Sequence, residues 1–210
     1  MLTTDLTLDQ IRAAFKRPLP GLEAQIKLAP EFRIKELRTL QPANARPAGV
    51  LILLYPHQGR WHFPLIRRTT NGHDRHSDQI SLPGGSQEAN ESIQETPLRE
   101  AEEEAAAARD LIKPMGRLST VYIPPSNFLV TPSVGFTQQR PDFHCDPREV
   151  AELLEVPLVT LFDPASVRRE EWELRGMKVE VPFYQIGPHK VWGATAMILS
   201  EFRMLLASAE

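Results

Sequence analysis

The chain of 210 residues contains a single cysteine, Cys145. One cysteine cannot form an intramolecular disulfide, and such sparing use of cysteine is typical of a protein kept in a reducing cytosol. No motif of a nucleophilic cysteine surrounds Cys145. The sequence therefore excludes an intramolecular disulfide and disfavours a cysteine nucleophile.

Long apolar runs and a basic excess are also missing. No run approaches the ~18–20 apolar residues of a membrane-spanning helix, and residues 1–15 lack the charged-then-apolar build of a signal peptide. The chain has 24 Lys and Arg against 27 Asp and Glu, a net charge of −3, so no global positive field would attract nucleic acid. We therefore expect a cytoplasmic protein that binds neither membrane nor nucleic acid.

Short apolar segments punctuated by 19 prolines predict an α+β chain. Apolar residues at helical spacing predict helices at 7–17 and 194–206. Strands are predicted at 48–55, 61–66, 116–123, 131–137, 149–156, 172–174 and 178–183. Residues 22–46 carry prolines and mixed charge and predict an arm lying over the domain. Such an order is typical of an α+β or α/β/α sandwich, and we expect a helix and arm at 1–46 packing on a domain at 47–210.

One acidic segment stands out within this pattern. Thr96 and Pro97 predict the N-cap and first position of a helix. At about 100° per residue, Glu103 and Glu104 lie within about 60° of Glu100 around the axis, so three carboxylates crowd one arc. Such like charges repel by roughly 0.2–0.5 kcal/mol per pair, and hard divalent ions such as Mg²⁺ prefer oxygen ligands. The helix alone leaves two interpretations open, a solvated acidic face and a metal site.

The residues before this helix give the acidic cluster a specific context. A glycine is followed after five residues by a glutamate, which is followed after seven residues by an Arg-Glu pair and then two further glutamates. The residues at these positions are Gly85, Glu91, Arg99, Glu100, Glu103 and Glu104. This spacing resembles the Nudix box, G-x5-E-x7-R-E-U-x-E-E-x-G-U, with Ala106 in place of its last glycine.

The resemblance to Nudix hydrolases carries specific expectations. It implies a Nudix-type α/β/α sandwich with a mixed central sheet, and hydrolysis of a nucleoside diphosphate linked to another moiety with Mg²⁺ or Mn²⁺ as cofactor. The metal ligands are then expected to be Gly84, Glu100, Glu103 and Glu104. Gly85, Glu91 and Arg99 are expected to be structural, with Arg99 pairing with Glu91. Glu103 and Glu149 are the candidate catalytic residues, Glu149 because Nudix enzymes often draw a base from a downstream loop.

The loop before the box is informative about substrate. Residues 64–85 resemble, in divergent form, the signature of Nudix enzymes that split coenzyme A. Arg68 falls on the first arginine of that signature and Ile80 on its aliphatic position, whereas Arg75 comes one residue late and Asp78 replaces a glycine. Because arginine forks bind phosphate bidentately, we expect Arg68, Arg75 and His76 to bind substrate.

The predicted reaction is hydrolysis of coenzyme A or an acyl-CoA to 4′-phosphopantetheine and 3′,5′-ADP. The alternative within the class is another nucleoside diphosphate derivative, ADP-ribose or NADH. The alternative outside the class is a non-catalytic nucleotide-binding regulator, which usually lacks a metal-binding glutamate that this chain retains. The expected partner is therefore a small nucleoside diphosphate substrate. Whether the chain acts as a monomer or a homodimer is left open by the sequence.

Overall fold

The computed structural model describes residues 6–39, 44–69, 79–174 and 176–207. Within these ranges the helices are α1 (Leu8–Ala14), α2 (Leu22–Gln25), α3 (Glu31–Thr39), α4 (Thr96–Ala105) and α5 (Gly193–Ala207). The strands are β1 (Arg46–His57), β2 (Arg60–Arg68), β3 (Ile80–Ser81), β4 (Gly84–Ser86), β5 (Lys113–Arg117), β6 (Val121–Ile123), β7 (Phe128–Phe136), β8 (Val150–Pro157), β9 (Val167–Leu174), β10 (Met177–Ile186) and β11 (His189–Val191). Short 3-10 segments lie at Ile26–Leu28, Arg109–Leu111, Leu158–Phe162 and Pro164–Ser166. None of the helices in these ranges combines the length and apolarity needed to cross a bilayer.

The main sheet is built around β1. Its residues 51–55 are at most 1% exposed, as expected for a continuously apolar strand that is covered on both faces. β7 pairs with β1 in parallel, from Arg46 opposite Phe128 to Leu54 opposite Phe136, while β2 and β4 pair with it antiparallel. The remaining strands of this sheet extend it, β3 and β8 beside β2 and β5 and β6 beside β7. The predicted mixed central sheet is therefore confirmed.

The two faces of β1 feed two separate apolar clusters, because successive side chains of a strand point to opposite faces. Leu51, Leu53 and Tyr55 pack with Ala101 of α4. Residues 52 and 54 belong to the larger cluster that includes Met197, Ile198, Leu199 and Phe202 of α5. α4 thus covers one face of the sheet and α5 covers the other. This arrangement confirms the α+β sandwich that the sequence predicted.

The predicted strand at 116–123 is wrong in one respect, because the structure divides it into β5 and β6. Arg117 is opposite Ser133 and Val121 is opposite Val130, so four steps on one side face three on the other. The extra residue makes a local irregularity in the pairing. Pro132 of β7 lies at this point and has no N–H with which to continue the ladder.

A second, three-stranded sheet has the order β11–β10–β9. The two short strands predicted at 172–174 and 178–183 correspond to β9 and β10. β9 begins earlier than predicted, and β10 extends further than predicted at both ends. Most side chains of β9 are exposed. Ion pairs join it to β10, with Arg169 to Glu180 and Lys178 to Glu171 both at 2.9 Å.

The segment that was predicted as an arm contains two helices, α2 and α3, and its residues take part in the core. Leu28 and Ala29 are at most 6% exposed and belong to the same cluster as the side chains of α5. α2 has only four residues, and α3 has no fully buried residue. Neither helix therefore has the long apolar stripe by which a helix is recognised in sequence.

A buried carboxylate joins this N-terminal region to α5. Glu201 is 0% exposed, and it accepts hydrogen bonds from the backbone N–H groups of Gly21 and Ser119, each at 3.1 Å, and from Nε2 of Gln25 at 2.7 Å. Ser200 Oγ donates to the carbonyl of Ala24 at 2.7 Å. These bonds satisfy polar groups from three separate segments inside the core, where an unsatisfied donor is unfavourable by roughly 1–3 kcal/mol.

We predict that Glu201→Ala lowers the free energy of unfolding by about 3 kcal/mol or more, because it leaves buried donors without an acceptor. Urea denaturation of parent and variant measures the difference. Glu23→Ala is the control, since the Glu23 side chain is 74% exposed in its pair with Arg38. A Glu201→Ala protein as stable as the control would contradict a stabilising role for this carboxylate.

Candidate active site

The site is built on the turn that joins β3 to β4 and on the helix α4 that follows. Gly84 has φ +153°, and a Cβ at this position would lie 2.3 Å from the carbonyl oxygen of Gly49. A Cβ on Gly85 would lie 2.3 Å from Oε1 of Glu100. Glycine is therefore needed at both positions, at Gly84 for close approach to β1 and at Gly85 to leave room for the carboxylate of Glu100.

The start of α4 differs from the prediction. Thr96 is the first residue of the helix rather than its N-cap, and Pro97 occupies the second position. Glu95 precedes it with helical dihedral angles and makes no side-chain cap. The chain already turns at Ser92, whose carbonyl accepts from the N–H groups of Glu95 and Thr96 at 3.0 and 3.2 Å. A turn that leads directly into the helix thus replaces the expected cap.

The end of α4 explains the position at which the chain departs from the Nudix box. Ala106 adopts a left-handed conformation, φ 54° and ψ 29°, and its N–H donates to the carbonyls of Ala101 and Glu102. Helices commonly end on such a residue, and glycine is favoured there because it has no Cβ. Ala106 therefore keeps the geometry of the missing glycine at the expense of some backbone strain.

We predict that Ala106→Gly raises the free energy of unfolding by about 1 kcal/mol, since it relieves the left-handed strain of an exposed alanine. Ala105→Gly is the matched control, because this neighbour is helical and buried and should lose about 1 kcal/mol. Urea denaturation separates the two, and equal destabilisation by both variants would contradict the assignment of strain to Ala106.

Arg99 organises the acidic cluster. Its Nε and Nη2 donate to the two carboxylate oxygens of Glu91, each at 2.9 Å, in a bidentate pair. Nη1 donates to Oε2 of Glu103 at 2.8 Å, and Nη2 also donates to the carbonyl of Ser86 at 3.1 Å and lies 3.0 Å from Oε1 of Glu100. The pair between Arg99 and Glu91 that the resemblance implied is present. Hydrogen bonding to Arg99 lowers the pKa of Glu91 to about 2.

Glu104 is the most deeply buried acid of the cluster. It is 1% exposed, and its oxygens accept from Nη1 of Arg68 at 3.2 Å and from the N–H of Gly84 at 2.9 Å. Desolvation nevertheless raises the pKa of Glu104 to about 8, and the charges of Glu100 and Glu149 act in the same direction. Burial also raises the pKa of Glu100 above its ordinary value. These carboxylates lie close enough to oppose one another's ionisation.

The predicted metal ligands are therefore close together but are held by arginines. In the ranges that the structure describes, no three His, Cys, Asp or Glu side chains are arranged to hold a metal ion as they stand. Glu103, 59% exposed, is turned toward Arg99, and Glu104 is bonded to Arg68. The carboxylates of Glu100 and Glu104, whose pKa values are raised, are the kind of oxygen ligand that a hard divalent cation prefers. To bind such an ion, Glu103 and Glu104 would have to rotate away from the arginines.

A cavity of about 710 Å³ opens beside these acids. Glu100, Glu104 and Glu149 line one part of it together with Arg68 and Arg99, whereas Glu103 does not line it. Most of the remaining lining is apolar and comes from Phe32, Ile123, Phe128, Leu174, Trp192 and Met197. The cavity thus places an apolar wall next to a cluster of ionisable groups.

The substrate-binding residues predicted from the loop have different outcomes. Arg68, at the end of β2, lines the cavity and contacts Glu104, and Val150 pairs opposite it, which places Glu149 nearby. Arg75 and His76 lie outside the described residues. Two residues of the cavity wall, Phe32 and Arg33, were not predicted from the sequence. The only sequence signal for them was an aromatic residue next to a cationic one within a charged segment.

The pair between Glu91 and Arg99 makes a prediction for acid stability. Because the pKa of Glu91 is lowered from 4.5 to about 2, its stabilising effect is complete above pH 4.5 and is lost as the pH falls toward 2. Glu91→Gln should therefore lower Tm near pH 7 and flatten the fall of Tm over this acid range. Thermal unfolding from pH 7 to pH 2 measures both effects.

Glu31→Gln is the control for this titration, since the Glu31 side chain is 87% exposed and lies 3.7 Å from Lys35. Arg99→Ala should reduce stability as well, by ~3 kcal/mol or more for a mostly buried pair that loses one member. An unchanged Tm of Arg99→Ala accompanied by lost activity would instead make Arg99 a direct catalytic group.

Comparisons with known proteins agree with this geometry. A NUDIX domain matches residues 45–176. The uncharacterized Nudix hydrolase NudL of Pectobacterium atrosepticum is 32% identical over 189 residues, which span 84% of this chain and 91% of the relative. The NudL of Photorhabdus laumondii is 35% identical over 127 residues, 60% of this chain and 67% of the relative.

Among solved structures, the M. smegmatis Nudix hydrolase RenU has a TM-score of 0.56 at 17% identity, covering 78% of this chain and 87% of its own. At this identity the likeness shows a shared fold. The domain match spans more than half of the chain, and its residues include the entire acidic helix and the turn before it. The chain belongs to the Nudix hydrolase family.

Proposed function

We propose that this protein is a metal-dependent diphosphatase that hydrolyses coenzyme A to 4′-phosphopantetheine and 3′,5′-ADP. The observation that carries the proposal is the cavity in which Glu100, Glu104 and Glu149 lie beside Arg68, next to an apolar wall. Coenzyme A has two parts that match these two regions, a charged diphosphate and a long, weakly polar pantetheine arm. The partial coenzyme A signature at residues 64–85 supports the same substrate.

The proposed cofactor is Mg²⁺ or Mn²⁺, held by Glu100, Glu103 and Glu104 with the carbonyl of Gly84. When bound, such an ion offsets the charge of the diphosphate and lowers the pKa of coordinated water. The chemistry of the residues fits this proposal, because the pKa of Glu104 is raised to about 8 by burial and by neighbouring carboxylates. A nearby cation would favour the ionised form of these groups.

The chain's own residues supply positioning and proton transfer. Arg68 is proposed to bind the diphosphate, since its guanidinium already contacts Glu104 at 3.2 Å and the geometry of its fork suits phosphate oxygens. Glu149 is proposed as the general base because it lines the cavity and is exposed there. Arg99 is proposed as a positioning residue that holds Glu103 and Glu100 relative to the turn.

We expect purified protein with Mg²⁺ or Mn²⁺ to convert coenzyme A to 4′-phosphopantetheine and 3′,5′-ADP. Glu104→Gln keeps the shape of the side chain but removes a charge from the proposed metal site, so kcat should fall at least ~100-fold, equivalent to about 2.7 kcal/mol of barrier. Steady-state kinetics with product identification by mass spectrometry measure both quantities.

The matched control is Glu102→Gln, on the same helix, because Glu102 pairs with Arg109 at 3.3 Å and does not line the cavity. Glu104→Gln activity within threefold of the parent would overturn the metal assignment. A panel containing ADP-ribose and NADH tests the substrate, and a clear preference for either of these would overturn coenzyme A in favour of another nucleoside diphosphate.

A further inference from the structure

Part of the cavity wall is supplied by segments that flank the matched NUDIX domain. The domain match covers residues 45–176, and it includes every acidic residue that lines the cavity. Pro30, Phe32 and Arg33 come from the N-terminal side, at the start of α3. From the C-terminal side come Trp192, just before α5, and five residues in the first turns of α5. The flanking segments are therefore positioned to determine which substrates fit, while the domain supplies the acids.

Among the described residues that line the cavity, the cationic ones are Arg33, Arg68 and Arg99. Arg68 and Arg99 are both engaged with the acidic cluster, through Glu104 and Glu103 respectively. Arg33 is anchored elsewhere. Its Nη2 donates to the carbonyl of Tyr122, and its Nη1 donates to Oε2 of Glu36 at 3.1 Å.

The register of the sheet gives the separation between these two cationic regions. Tyr122 pairs opposite Leu129, and Leu129 pairs opposite Pro47 of β1. Gly84, at the acidic end, pairs opposite Val50 of the same strand. Tyr122 and Gly84 are offset by the three residue steps from Pro47 to Val50, about 10 Å along β1, and by three strand spacings, about 14 Å across the sheet. Arg33 is thus anchored across the cavity from the acids, at a distance that no single phosphate group spans.

We propose that Arg33 binds a second phosphate group of the substrate, a monoester carried on the ribose a few covalent bonds from the diphosphate. This inference rests on the proposed function and specifies which chain segment reads the 3′-phosphate of coenzyme A. Arg33 is suited to the task because its side chain is only 12% exposed and is anchored to Tyr122 and Glu36, so little conformational freedom remains to be lost on binding.

Glu36 occupies part of the fork that the phosphate would use. The Glu36 side chain is 27% exposed, so it can turn toward solvent when a dianion arrives. In the absence of substrate it keeps the charge of Arg33 paired, as a partly buried cation requires. Glu36 is therefore a competitor of the phosphate as well as a partner of Arg33.

This arrangement predicts opposite effects for the two members of one ion pair. The parent enzyme should prefer coenzyme A over dephospho-coenzyme A about tenfold or more in kcat/KM, as expected for a charge-assisted contact. Arg33→Ala should bring this ratio close to one, through KM for coenzyme A, with kcat and dephospho-coenzyme A turnover retained. Glu36→Gln should raise the ratio above that of the parent, because the competing carboxylate is gone.

Lys35→Ala is the control on the same helix, since Lys35 is 80% exposed and does not line the cavity. If the pair has only a structural role, Arg33→Ala and Glu36→Gln should both lower Tm and reduce activity on both substrates. This result would overturn the proposal. Retention of the parent ratio by Arg33→Ala would do the same.

A binding measurement separates failure of this inference from failure of the proposed function. Isothermal titration of the parent and of Arg33→Ala with 3′,5′-ADP and with 5′-AMP requires no turnover. We expect the parent to bind 3′,5′-ADP about tenfold more tightly, and Arg33→Ala to bind both alike. If the parent does not cleave coenzyme A but shows this difference, the substrate assignment fails and the phosphate site stands. Equal affinities in the parent overturn the phosphate site whatever the activity.

Discussion

The structure of the site depends on how mutually repelling carboxylates are held together from the middle to the end of α4. Glu100, Glu103 and Glu104 lie within about one turn of helix, and burial of Glu104 intensifies the repulsion by removing water. Two guanidinium groups offset it, Arg99 at the outer part and Arg68 at the buried part. Three features hold these charged side chains in position. They are the turn before the helix, the pair between Arg99 and Glu91, and the close approach of the glycines to β1.

Sequence reasoning predicted the features that local spacing determines. The resemblance of the charged positions to the Nudix box implied the pair between Glu91 and Arg99, and the continuous apolar run predicted the central strand β1. Features that depend on contacts distant in the sequence, or on a turn without a side-chain cap, were not predicted. The start of α4 is set by a turn at Ser92 rather than by a cap at Thr96. Helix α3 has no buried stripe, and the place of Arg33 in the cavity depends on β6, far away in the chain.

The family comparison and the geometry account for different parts of the molecule. The matched NUDIX domain contains the acids and the glycine turn, while the cavity wall combines this domain with residues from α3 and α5. Trp192, the residue before α5, also lines the cavity, and its ring meets Trp172 edge to face at 5.3 Å. Trp172 in turn stacks on Phe183 at 5.8 Å. The three-stranded sheet therefore supports the cavity wall without supplying an acid to it.

The buried carboxylate of Glu201 has a consequence for the order in which the chain folds. Its partner Gln25 is 176 residues away in sequence, and the parallel pairing of β1 with β7 joins residues 82 positions apart, Arg46 with Phe128. Contacts of such long sequence separation form slowly, because a large loop must be closed before they are made. During synthesis α2 and β1 leave the ribosome long before their partners do. The N-terminal region must therefore wait for α5 before it can dock.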